Sequence, residues 1–550
     1  VAAAGEVDAS RPLALQGSEP APAWPAARTA SLVQALRADG GTAAVADDEA
    51  ARQLAGHDIF HGQARWPEFV FSPADAATLA AGVARITAAG LAVAPRGGGM
   101  SYTGGYLPAQ PYVTVDLARL NRVLEVDVAN LCITVQAGCT WAQVRQALAG
   151  SGCVTPYGGP LSGLRATVGG ALSQNSMFFG AGQHGSAAES VLGLQVVLAS
   201  GELLTTGSAA LAGATAFARW GGPDLTGLFL GDTGALGIKV AATLRLVPAP
   251  AAQGFASHGF ATIADMVGAQ VELMRQGLGS ECFGIDAYKA QHSAQTGHKL
   301  TAGVKTLGKI ARAGPSLMSG LKAAAGVARA GTDYLAVHPY SFHLALDGDT
   351  QAQVDARLAR VAAVAASHGG KAQPASVPQV LRAQPFQPLR SVLAHNGDRW
   401  VPVHGIVPLS QALPTVQAVE KLIAGHADAM RRHGIVYSPL TANLDRAFLF
   451  EPCFYWPDEI WPLHVDVLGE ALTRPWRERP AAPQALALVR QLWHEVADCL
   501  DRHGAVHFQV GRSYNHLPRL AAPARALLQA LKTHLDPHGL MNPGSLGLAA

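Results

Sequence analysis

The sequence predicts an α+β protein of more than one domain, and three observations carry that expectation. A strand–helix–strand run delivers the chain to a glycine loop at Leu91–Pro108, LAVAPRGGGMSYTGGYLP. A second glycine-dense stretch, Tyr157–Gly185, follows among further strand-like segments. From residue 250 to residue 500 helices alternate with strand-like runs, for which an antiparallel sheet flanked by helices is the simplest packing. With 550 residues the chain is also too long for one core.

Taken in order, residues 1–62 read as an Ala/Pro-rich extension followed by a helical lead-in with a Gly-Gly turn. The first thirty lack an apolar h-region and do not resemble a signal peptide. Phe69–Phe71 is a short strand. Ser72 is the expected N-cap, with Pro73 at the first helical position and Asp75 three residues after the cap. The helix runs through Val83, Ile86 and Ala89 to Gly90, and Leu91–Ala94 forms the next strand. Gly97, Gly98, Gly99, Gly104 and Gly105 then crowd into one loop, where missing Cβ atoms let backbone N–H groups close on an anion such as a phosphate. Arg96, Ser101, Tyr102 and Thr103 could add donors. A flexible surface loop is the plain alternative.

Beyond the loop, Tyr112–Leu117, Val123–Asp127 and Cys132–Gly138 read as strands, and Thr140 caps a helix over Trp141–Ala149. A hairpin turns at Ser200-Gly201, a strand leaves Gly237, and PAPAAQG from Pro248 marks a domain exit. The next region predicts helices at Ala261–Gln276, Gln351–Ser367 and Leu409–Arg432, with strands at Ser341–Leu346, Trp400–Pro408 and Arg446–Phe454. Residues 287–331 contain no acid and seven cations, including Lys289, which reads as a solvated basic face or as a patch for a membrane surface or acidic partner. The tail offers a strand-like run at Val506–Leu517, a helix from Ala521 to Leu535, and the turns of DPHGLMNPG.

A net charge of +2 gives no global argument for nucleic acid. No stretch reaches the ~18 apolar residues of a membrane span. The six cysteines form no C-x-x-C and no metal or cluster spacing, so the expectation is free thiols in the cytoplasm, or at a membrane periphery if the basic patch docks there, with no metal.

Five pieces in order carry a resemblance: PRGGGMSYTGG, VQAGCTWAQV, ATVGGALSQN…GAGQHGSAAESVLGLQVVLASGELLTTG, GALGIKVAATLRLVP and LDPHGLMNPG. Together they resemble the flavin-dependent oxidoreductases of the vanillyl-alcohol oxidase / p-cresol methylhydroxylase family, including its D-lactate and glycolate dehydrogenase branch. The resemblance implies a two-lobed FAD-binding domain over residues 63–249, a cap domain over 250–500 and a tail, 501–550, that returns to the FAD domain. It assigns FAD contacts to Pro95, Arg96, Gly97, Gly98, Gly99, Met100, Ser101, Gly104 and Gly105 in the loop. It adds Thr167, Val168, Gly169, Gly170, Asn175, Gly180, Gly182 and Gly185 in the second strip, then Gly237, Ile238 and Asn542. Relatives that tether FAD through the loop carry His where this chain has Met100, and those with a second link carry Cys near Arg165. The cap strand Ala447–Trp456 offers Tyr455 but no His in register, so the expected FAD is non-covalent.

The implied reaction is oxidation of a CH–OH group, with a 2-hydroxy acid ahead of a phenolic alcohol. A net non-redox transfer of the alkyl-glycerone-phosphate synthase kind is the alternative from another class. Candidate catalytic residues are Arg512 as the anion clamp, His507 or His404 as the base, Tyr514, and Glu451 as either a partnered core carboxylate or a base with a raised pKa. His464, His516 and Tyr455 share the suspicion. The hydroxy-acid branch's H-x-G-D-G-N run is absent, and of the phenol branch's tyrosines only Tyr102 or Tyr106 can be placed. The expected partners are a small substrate, an external electron acceptor (oxygen, a quinone or a cytochrome) and, as a further expectation, a second copy of the chain.

Overall fold

The computed structural model describes residues 24–61, 66–295, 337–386 and 390–548. Two small sheets form the N-terminal half. In the first, β1 (Val45–Ala46), β2 (Val70–Phe71), β3 (Ala92–Arg96) and β4 (Tyr112–Asp116) lie in the order β1-β2-β4-β3. Both β2 and β3 run parallel to the central β4. The helix Ala76–Ala88 crosses between β2 and β3 and buries Leu79, Val83 and Ile86 against Phe71 and Val93. Its N-cap is Asp75, whose carboxylate accepts from Thr78 N–H at 2.8 Å, and not Ser72. Ser72 N–H instead donates to Ala44 O, which keeps the chain extended for one more pairing with the neighbouring segment.

The second sheet is antiparallel, with β5 (Val123–Asp127), β6 (Cys132–Gln136), β8 (Val191–Val197), β9 (Leu203–Thr205) and β10 (Ile238–Arg245) ordered β5-β6-β10-β8-β9. The strand pair β7 (Cys153–Val154) and β11 (Val247–Pro248) closes its exit. Thr140 caps the helix Trp141–Ala147 with a reciprocal bond to Gln143.

The C-terminal half is built on one eight-stranded antiparallel sheet. It contains β12 (Ala252–Phe260), β13 (Glu281–Asp286), β14 (Tyr340–Gly348), β15 (Lys371–Gln373), β16 (Arg399–Pro402), β17 (Gly405–Pro408), β18 (Val436–Leu444) and β19 (Ala447–Trp456). The order is β15-β12-β14-β13-β18-β19-β16, with β17 also on β19. Period-two alternation gives this sheet two faces. Phe448, Phe450, Phe454 and Trp456 pack with Val416, Val419, Val489 and Leu492 from the helices Ala412–Gly425 and Pro483–Arg502. On the other face Leu449, Phe283, Ile285 and Ala442 meet Met177 and Ala181 from the N-terminal half and Phe508 from the tail. This second face is therefore turned onto the glycine-rich lobes.

Three expected elements come out differently. Leu409–Arg432 is two helices, Ala412–Gly425 and Ala427–Arg432, joined at His426. Trp400–Pro408 breaks into β16 and β17 because His404 N–H leaves the ladder to donate to the Tyr514 hydroxyl at 2.9 Å. Val506–Leu517 is not a strand; after one bridge from Val506 to Ile406 the backbone passes through left-handed positions at Gln509 (φ 48°) and Gly511 (φ 55°). Of the basic stretch 287–331, residues 296–331 lie outside the described residues, whereas Ala287–Gln295 is a helix. All six cysteines are free and buried. No helix among the described residues is long and apolar enough to cross a membrane, and those residues contain no group of three potential metal ligands.

Candidate active site

The glycine loop leaves the C-terminal end of β3, whose Ala92, Val93 and Ala94 are fully buried and hold its base rigid. Its two halves do different work. Gly104 N–H donates to Asp58 Oδ2 at 2.7 Å, and Thr103 and Gly105 N–H turn to Ser101 Oγ at 3.3 and 3.2 Å. Those donors brace the loop, so Gly104 and Gly105 are not the anion-facing groups that glycine content alone suggests. From Gly97 through Ser101, by contrast, five successive backbone N–H groups donate to no acceptor among the described residues. The close approach there demands glycine: a Cβ on Gly98 would lie 1.9 Å from Arg165 O, and one on Gly97 would lie 2.3 Å from Thr167 Oγ1.

Two openings flank this half-loop and share Gly97, Gly98 and Thr167. The outer one, about 540 Å³, is walled by Arg96, Asp116, Thr140, Gln143 and Arg165. The inner one, about 140 Å³, reaches past Met100, Ser101, Gly169, Gly170 and Gly237 to Tyr102 and Gln509. Buried polar atoms along this path have no partner: Arg96 Nε and Nη2, Gln174 Oε1 and Thr233 Oγ1. Native interiors rarely leave such groups unmade. A long ligand with a central anion, an apolar ring system and hydrogen-bonding edges would satisfy them together.

The second glycine strip divides. Thr167 caps the helix Val168–Gln174, and Gly169 and Gly170 line the inner cavity, whereas the side chains of Val168 and Ile238 belong to the core. Asn175 ends that helix in a left-handed conformation, with Oδ1 accepting from Ala188 N–H at 3.1 Å. Gly180 and Gly182 donate to Glu281 Oε1 and Ser280 O of the cap sheet, so they fasten the two halves together and do not line either opening. Gly185 closes the short helix Ala181–His184 behind them. Asn542, at φ 42°, is a fastener as well: its Nδ2 donates to Gly105 O and Thr233 O at 2.8 and 2.6 Å, and its N–H to Val93 O.

Arg512 shares that role. Its guanidinium donates to Gly104 O, Asn542 Oδ1 and Pro543 O, leaving only a buried Nε. Burial lowers its pKa to about 9. A guanidinium spent on three protein oxygens is a strut between loop and tail, not the open bidentate clamp that its position suggested.

The histidines are similarly committed. His507 Nε2 is 2.6 Å from Asp501 and its Nδ1 2.7 Å from His404 O, so both ring nitrogens are occupied. His404 is fully buried, stacked 4.0 Å from Phe508, with neither ring nitrogen partnered, and burial holds its pKa well below the usual range. His464 bonds Trp461 N–H and Ile59 O. Burial lowers the pKa of His516. Tyr514 stacks on His507 and accepts from His404 N–H.

Glu451 differs from all of them. It sits on β19 between Leu449 and Cys453, on the sheet face turned to the glycine-rich lobes, and remains partly accessible. Burial raises its carboxyl to about 7, with Lys289 opposing the rise. It forms no ion pair within 4.0 Å among the described residues. Its charge is felt by Tyr102 and Tyr514, and Tyr102 lines the inner cavity. Asp58, Gln509 and Asp232, the buried partner of Lys239 at 2.6 Å, are parts of this site outside every motif, whereas Gln174 and Lys239 lie within ATVGGALSQN and GALGIKVAATLRLVP without being singled out there. Only the polar residue in an apolar run, as at Lys239, was visible as a signal.

Residues 67–207 match the family described as FAD binding domain, and residues 483–546 the family described as FAD linked oxidases, C-terminal domain. The chain is 31% identical over 204 residues to the glycolate oxidase subunit GlcD of Bacillus subtilis, covering 37% of this chain and 42% of that protein. It is 32% identical to a D-2-hydroxyglutarate dehydrogenase of Xanthomonas citri, over 34% of this chain and 39% of that one. The chain thus spans about two fifths of the length of these relatives. Its fold is that of p-cresol methylhydroxylase, with a TM-score of 0.73 at 17% identity over 96% of this chain and 98% of that one. An alkyldihydroxyacetonephosphate synthase shares it at a TM-score of 0.66 and 16% identity, over 96% and 87%.

Proposed function

We propose that this chain, which carries an FAD-binding domain and an FAD-linked oxidase C-terminal domain, is an oxidoreductase that oxidises the CH–OH group of a 2-hydroxy acid. Bound FAD would supply the hydride acceptor. The N–H groups of Gly97 to Ser101 would hold its pyrophosphate, with Arg96, Thr167 and Gly170 alongside. Asp58, Arg512 and Asn542 hold the loop in shape. No histidine stands at Met100, so the cofactor is held without a covalent bond.

The observation that carries the chemistry is Glu451. A general base works best with a pKa near the operating pH, and this carboxyl reaches about 7 on the cap face, where its charge acts on the cavity-lining Tyr102. Glu451 takes the hydroxyl proton as hydride leaves the same carbon. The buried His404 and the fully bonded His507 position the wall and Tyr514. Electrons then pass to an external acceptor. The domain division at 63–249, 250–500 and 501–550 is part of the same proposal.

The test is an absorption spectrum and anaerobic titration. Twin flavin bands released into the supernatant by acid support non-covalent FAD, and bleaching by D-lactate, glycolate or mandelate supports the reaction. A yellow pellet would contradict the first point. A protein that cannot be loaded with FAD would end the reading. The aromatic wall of Tyr102, Trp400 and Tyr455 favours a second reading, a phenolic alcohol, which bleaching by vanillyl alcohol alone would support. Turnover without any electron acceptor would point to a transferase.

A further inference from the structure

Lys289 was one of seven cations in a stretch that reads as a solvated face, yet its side chain points inward. The helix Ala287–Gln295 lies on the cap-sheet face that is turned to the glycine-rich lobes, with Ala290 buried among Phe283, Ile285, Leu449 and Phe508. Lys289 Nζ stands 3.2 Å from Cys453 Sγ. Cys453, Glu451 and Tyr455 alternate along β19 and so project on that one face. Among the described residues Lys289 forms no ion pair, which leaves a part-buried ammonium beside a thiol, a phenol and one carboxyl of weakened acidity. A cation taken out of water calls for an anion.

The surroundings connect this ammonium to the inner cavity. Trp400 pairs with Tyr455 across β16 and β19, and its ring lies 5.5 Å from that of Tyr102, which lines the cavity. Tyr288, one residue before the lysine, lies 5.2 Å from Tyr455. The wall between cavity and cation is therefore aromatic.

We propose that Lys289 anchors the substrate carboxylate, and that Tyr288, Trp400 and Tyr455 select a 2-hydroxy acid whose side chain is apolar. This rests on the reading of the chain as a 2-hydroxy-acid oxidoreductase. It takes over the clamp role that Arg512 cannot fill. With the carboxylate on Lys289 and the hydroxyl toward Glu451, a cation on the covering helix and a carboxyl on β19 order the two ends of the acid.

The test uses the FAD-loaded full chain. Oxalate, an unreactive dianion, is titrated by calorimetry into wild type, Lys289→Met, Lys289→Gln and Lys289→Arg. Losing a hydrogen bond to a charged group predicts roughly 10- to 100-fold weaker binding for Met and Gln, with Arg recovering most of it. Circular dichroism and FAD content show which neutral variant is folded. Unchanged oxalate affinity in a folded neutral variant, or no oxalate binding by wild type, overturns the anchor. If wild type is still bleached by 2-hydroxy acids in that case, the reaction stands and the anchor alone falls. If no 2-hydroxy acid bleaches wild type, the reaction falls, whatever oxalate does. For the aromatic wall, burying a phenyl group predicts mandelate over glycolate by roughly tenfold or more in kcat/KM. Equal values overturn the selectivity.

Discussion

Replacing Glu451 by Gln separates catalysis from stability at one atom. The carboxyl is displaced from 4.5 to about 7 by burial, so the folded chain keeps its proton where the unfolded chain has lost it. Folding stability from this group is therefore full below pH 4.5 and falls as pH rises toward 7, by up to about 3 kcal/mol. Glutamine resembles the protonated form and escapes that cost. E451Q should match wild type in melting temperature near pH 5 and exceed it by a few degrees near pH 8. Activity should move the other way. A base with this pKa is about one-tenth ionised at pH 6 and about nine-tenths at pH 8, so wild-type kcat/KM should rise roughly tenfold across that range. The variant should lose about 10²- to 10⁴-fold at pH 8, together with that pH limb. Paired melting curves and stopped-flow flavin bleaching at pH 5 to 9 measure both. A wild-type profile flat through pH 7, or a variant that keeps the limb, would refute Glu451 as the base.

Arg512→Ala should release the tail from the glycine loop, leaving three oxygens short of a donor; a loss of about 2–4 kcal/mol and faster FAD dissociation are expected in thermal melts and ultrafiltration. Gly98→Ala should give a folded but colourless protein, because its methyl must displace the Arg165 carbonyl, and visible absorbance after FAD incubation reads this directly. His507→Asn should lower stability through the lost Asp501 bond yet change the rate of flavin bleaching less than tenfold; a loss comparable to that of E451Q would move the base to the histidine.

The cofactor half was legible because its constraint is local. Close packing of the loop backbone against Thr167 and Arg165 leaves glycine as the residue that fits, and Gly97 and Gly98 advertise that requirement in sequence. Gly104 and Gly180 show the limit, since a glycine facing Asp58 or the cap sheet reads the same as one facing a ligand. The substrate half was not legible because its contacts join residues far apart. Nothing in the sequence around Arg512 says that Asn542 and Gly104 will consume its donors. Lys289 looked solvated because neighbouring cations, not the strand it packs on, dominated the pattern. Glu451 was identifiable as an odd carboxyl in an apolar strand, but its acidity depends on the fold.

The Asn542 fastener has a consequence for how the protein assembles. Its amide reaches Gly105 across a sequence separation of 437 residues, most of which must first build the cap. Contacts of such separation carry a large closure entropy and form late. The first lobe can acquire its sheet early, but the shape of its anion loop waits for the distal segment to arrive. Cofactor capture thus becomes a checkpoint for whole-chain folding, and an arrested or nicked chain would be expected to show itself as protein with secondary structure and no colour.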